Sequence, residues 1–89
     1  MNQLEPVFSR AREVADLFRL GRDVEAVGVM VELFDPIQSL VDGAALPVQQ
    51  DWAKLLTLML ACQEGQDWLG LADYLEYELL DWLQVEFGG

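Results

Sequence analysis

A chain of 89 residues and 10.1 kDa is one domain's worth of sequence: about 5,000 Å² of accessible surface is expected, with about three-fifths of the unfolded area buried. The net charge is −11 with no histidine, and Arg10, Arg12, Arg19 and Arg22 supply four of the five cations, so phosphate backbones and anionic membrane surfaces are excluded as expected partners and basic ones favoured. Cys62, the only cysteine, rules out an internal disulfide framework and reads as a small hydrophobe in a reducing, cytoplasmic setting.

Helix one is read over residues 5 to 20, where Leu4, Val7, Phe8, Ala11, Val14, Ala15 and Phe18 recur at i, i+3 and i+4. Pro6 suits its first turn, and Gly21 the left-handed residue that closes it. Asp23 is expected to cap a second helix, whose face carries Val24, Val27, Met30, Val31, Phe34, Ile37 and Val41 and is widened by Leu33 and Leu40. Gly28 weakens this helix, and Pro36 predicts a kink or break near residues 32 to 36. The run from Val27 to Val31 also fits a strand, but no second strand exists to pair with it. Asp42-Gly43 ends the element. Pro47 then opens a third helix with Val48, Trp52, Leu55, Leu56, Met59 and Cys62 inward and Leu58 and Leu60 off-centre. Gly65 closes it, and Asp67 caps a fourth helix that buries Trp68, Leu71, Ala72, Leu75, Leu79 and Trp82. Gly88-Gly89 is left as a frayed tail.

Four helices with short connections predict an all-α, up-down-up-down four-helix bundle, kinked in helix two, forming a single domain over residues 1–89. Neighbouring helices one and four then set arginines beside carboxylates, in exposed pairs worth only about 0–1 kcal/mol each. The strongly apolar run from Leu55 to Cys62 is too short to span a bilayer, and Met1-Asn2-Gln3-Leu4-Glu5 has no cationic start, so the chain is read as soluble and unprocessed. With 53% apolar residues there is more apolar surface than a small monomer hides; Met30, Leu33, Leu40, Leu58 and Leu60 predict a homodimer.

The fourth helix carries the candidate site. Leu69, Asp73, Glu76, Tyr77 and Leu80 fall away from its buried stripe, Tyr77 about 160° round the wheel, as an aromatic and two aliphatics framed by acids. That pattern fits a surface for a protein partner, either basic or an amphipathic helix, with Tyr77 as its anchor, beside the plainer reading of a solvated face. Asp73 and Glu76 also have the spacing of a carboxylate pair, yet the histidines of a helical Glu-x-x-His metal site are absent from the chain. Trp52, Trp68 and Trp82 fall on inward stripes and read as core residues whose indole N–H groups need partners. No nucleophile with a base and no phosphate loop is present, so no catalytic residue, metal or cofactor is assigned.

Asp67-Trp68, Leu71-Ala72-Asp73 and Leu75-Glu76-Tyr77-Glu78-Leu79, about thirteen residues, resemble the C-terminal helix of a family of short, uncharacterised bacterial all-helical proteins. The resemblance implies a helical fold and a bacterial cytoplasmic origin, without an activity. Where those relatives often carry proline after Tyr-Glu-Leu-Leu, this chain has Asp81, which lets the helix continue. Ser39-Leu40 is similar to part of the Asp-Ser-Leu motif of acyl carrier proteins, but Gln38 stands before the serine and Asp42-Gly43 soon ends the helix. The small acidic bundle also resembles, in architecture alone, the export chaperones of flagellar and type III secretion systems. The terminal glycines resemble a ubiquitin-like tail, without the β-rich fold that chemistry rides on. The leading expectation is a non-enzymatic protein-interaction module, ahead of an export chaperone or adaptor and of an acyl-carrier-like protein.

Overall fold

In the computed structural model, which describes residues 4–88, every element is helical and no strand occurs among the described residues. The readings made on Met1 to Gln3 and on Gly89 lie outside those residues. α1 (Glu5–Arg19) opens on Pro6, whose fixed φ and missing amide suit a first turn, and buries Val7, Phe8, Ala11, Val14, Ala15 and Phe18 as its spacing predicts. Gly21 then takes φ +77°, its N–H bonding the Phe18 carbonyl at 3.1 Å while the Arg22 N–H bonds the Leu17 carbonyl at 2.9 Å. This two-bond closure needs a left-handed residue, and glycine adopts it without a Cβ clash.

α2 (Asp23–Asp42) departs from expectation in three ways. Asp23 does not cap it; Arg22 precedes the first turn with no side-chain cap bond and pairs with Glu25 at 2.8 Å. Of the kink or break expected near Pro36 the break does not occur: the helix is continuous through it, because burial of Leu33 and Ile37 on either side outweighs one lost amide bond. Its buried edge is Ala26, Met30, Leu33, Ile37 and Val41, turned roughly 60° from the centre of the expected stripe, so Val24 and Val31 are exposed. Met30 and Leu33, expected to meet a second copy, are therefore core.

α3 (Leu46–Glu64) has Pro47 in its first turn and only Trp52 and Met59 fully buried; Val48, Leu55, Leu56 and Cys62 are half-buried. Trp52 finds its indole partner in Gln38, donating to Oε1 at 2.9 Å, while Gln38 Nε2 donates to Asp42 at 2.8 Å. At its end Gly65 stays in the right-handed region, and Gln66 takes the left-handed conformation at φ 57°. The closing bonds run from Asp67 N–H to Cys62 O at 2.8 Å and from Gln66 N–H to Gln63 O at 3.0 Å.

α4 (Trp68–Asp73) is capped as expected, Asp67 Oδ1 accepting from the Gly70 N–H at 3.0 Å. Residues Tyr74–Glu78 form a π turn that joins α4 to α5 (Leu79–Phe87), making one rod of the two. A bond from i to i+5 inserts one extra residue into the turn and delays everything downstream by about 100°. The delay brings Leu80 and Leu83 inward, to 8% and 0% exposure, and leaves Trp82 only half-buried. Leu80 was expected on the outer face, a placement corrected by this single insertion, whereas Trp82, expected inward, still packs against the core.

One apolar cluster draws on all four rods, with no buried polar or charged residue among those described. α1 packs against α2 and the α4–α5 rod, and α3 packs against the same two. Aromatic pairs mark two places in the core: Trp68 stacks on Phe18 at 5.4 Å, while Trp82 stacks on Trp52 at 5.8 Å and meets Phe87 edge-on. The buried Trp82 Nε1 has no hydrogen-bond partner.

Candidate functional site

Tyr77 stands on the π turn, 61% exposed, as a ridge between two shallow grooves. The groove toward α1, about 550 Å³, is walled by Phe8 and Arg12 on one side and by Glu76, Leu80, Asp81 and Gln84 on the other. The groove toward α3, about 500 Å³, is lined by Leu55, Leu58, Gly70, Asp73, Tyr74 and Glu78. The two differ in character. The α1 side mixes a cation with acids, whereas the α3 side offers two leucines and two tyrosine rings edged by carboxylates.

Charge on this face is organised by Arg19, at the end of α1. Its Nη2 donates to Asp73 Oδ1 and its Nη1 to Glu76 Oε1, each at 3.0 Å, one fork across two carboxylates three residues apart. The guanidinium is held above its ordinary range, first by Glu76 and then by Asp73. Glu76 is held below the usual carboxylate range by the adjacent Tyr77 hydroxyl and then by Arg19, and the Tyr77 phenol is raised by the same neighbour. The expected pairing of helix-one arginines with helix-four acids is present at Arg19, and the Asp73–Glu76 pair already holds a cation of the protein's own. No group of three or more potential metal ligands occurs among the described residues.

Of the five predicted site residues, Asp73, Glu76 and Tyr77 are brought together. Leu69 is 63% exposed but lines neither groove, and Leu80 lies in the floor of the α1-side groove, not on the outer surface. Missed were Leu55, Leu58 and Tyr74, which come from the seam between α3 and the rod, and Arg19, whose role depends on that packing. Leu58's place off the centre of the α3 stripe was the one available signal. Elsewhere, Ser39 is exposed near the C-terminal end of α2, away from any helix start. Burial, then the nearby Asp67, pushes the half-buried Cys62 thiol up, which disfavours the reactive thiolate.

The class defined by fold and site is a small, acidic, all-helical chain bearing a grooved aromatic surface. No protein-family model, curated protein or solved structure matches this chain. No helix among the described residues is long and apolar enough to cross a membrane.

Proposed function

We propose that this protein is a non-enzymatic interaction module whose Tyr77 ridge receives a basic, amphipathic helix of a protein partner. In this reading the four rods form an up-down-up-down bundle with α2 bent at Pro36, and the family resemblance of the last helix makes the setting the bacterial cytoplasm. The observation that carries it is Tyr77 itself: a large ring, mostly exposed, between two grooves, with no core contact that explains it. A tyrosine so placed buries much apolar area at low entropic cost and keeps its hydroxyl hydrogen-bonded. Leu55 and Leu58 offer apolar contacts for one face of an incoming helix. Glu78 and Asp81, which the Arg19 fork leaves alone, attract its cations.

The test uses Tyr77→Ala. A partner captured by the wild-type chain and then purified should bind the variant about tenfold or more weakly, with the melting temperature unchanged. Equal binding by both proteins would remove the ridge from the interface, and unfolding of the variant would make the tyrosine structural.

A further inference from the structure

Two chains of charge −11 repel one another, so any surface on which they meet must be the least acidic one available. The twelve residues from Trp52 to Gln63 form the longest stretch of the chain without a carboxylate, and they contain Lys54, the only cation after Arg22. Among the described residues Lys54 makes no ion pair. It lies on α3 opposite the buried Met59, on an outer face with Thr57, Ala61 and Glu64, all exposed. Leu58 and Leu60, 48% and 43% exposed, flank that face at about 80° to either side. A shallow groove of about 480 Å³ opens beside it, lined by Ala53, Lys54, Thr57 and Leu58.

We infer that the outer face of α3 is a homodimer surface, occupied by α3 of a second copy running antiparallel. Charge sets the register. With the two helices crossing at the level of Met59, Lys54 of each copy lies level with Glu64 of the other, and Thr57 level with Ala61, whose small side chains admit close approach. A two-fold axis keeps like edges together, so Leu58 meets Leu58 along one edge and Leu60 meets Leu60 along the other. The acids nearest the seam, Asp51 and Glu64, fall toward its ends. A single helix pair is a small interface, so the dimer is of micromolar strength. Leu58 also lines the α3-side groove, so the second copy adds a wall beside Tyr77. The inference does not depend on the proposed partner. Of the α2 residues expected at a dimer surface, Met30 and Leu33 take no part, because they are buried.

Light scattering on the full chain at roughly 100 µM, above the Kd of such an interface, should give twice the mass of the 10.1 kDa chain. Ala61→Glu and Lys54→Glu, both at exposed positions, should return the monomer mass while helicity by circular dichroism stays unchanged. Joining Lys54→Glu to Glu64→Lys should restore the dimer. Self-association should tighten as salt rises, because screening relieves the repulsion of two acidic chains; binding of a basic helix should weaken. A wild-type chain that stays monomeric would overturn the proposal. So would a dimer that survives both single substitutions, or one that the charge swap fails to restore. Tyr77→Ala should remain dimeric, which keeps failure here separable from failure of the partner reading.

Discussion

Gly21 and Gln66 occupy the same place in two helix closures, each at positive φ with the same pair of backbone bonds, yet one is glycine and the other carries a side chain. An L-residue there costs roughly 1–2 kcal/mol, of which part returns through the restricted unfolded chain. Gln66→Gly should therefore stabilise the fold by about 0.5–1 kcal/mol, and Gly21→Ala should destabilise it by about 1 kcal/mol, both read from urea unfolding. At the Arg19 fork the sign follows from the depressed Glu76 pKa. Its contribution is complete above the unfolded value of about 4.3 and is lost as pH falls through the folded pKa beneath it. Thermal melts of wild type and Glu76→Gln should thus differ at neutral pH and converge in acid; a constant difference would contradict the assignment. For the raised Arg19 pKa, stability is fully present below the unfolded pKa and is lost only in alkali.

The π turn is the element that most changes what the last helix presents. Leu71, Leu75, Leu79 and Leu83 recur every four residues, a spacing that drifts about 120° over a regular helix and is realigned by one inserted residue. That ladder was legible in the sequence, but a wheel of about 100° per residue hid its meaning and placed Leu80 outside. Leu83→Ala should cost about 2–5 kcal/mol by opening a core cavity, as should Leu75→Ala, whereas Leu69→Ser at an exposed position should stay within about 0.5 kcal/mol. Equal costs at positions 69 and 83 would mean that the turn is regular α-helix. Elsewhere the helix-one stripe, the breaks at Gly21 and Asp42-Gly43 and the Asp67 cap were readable, because local chemistry decides them. The face of α2 was not, since its valines and leucines surround the helix and only packing against α1 and α3 selects an edge. For the same reason Tyr77 could be found on one helix, whereas Leu55, Leu58 and Arg19 reach it from others.

At the scale of the whole molecule, charge sorts the surface into unequal regions. Most of the surface repels another acidic chain and attracts a basic one, while the outer face of α3 is spared carboxylates over twelve residues. The two associations proposed here therefore respond to salt in opposite directions, and neither draws on the core that holds the rods together. In the proposed function Tyr77 serves binding and not folding. Its most direct test is a titration of the captured, purified partner into wild type and Tyr77→Ala, with the melting temperature of each recorded alongside. Superimposable melts are expected, with affinity lower by about tenfold or more in the variant and a Kd for the wild type that rises with salt. Equal affinities with equal melts, or a variant that unfolds, would contradict that role.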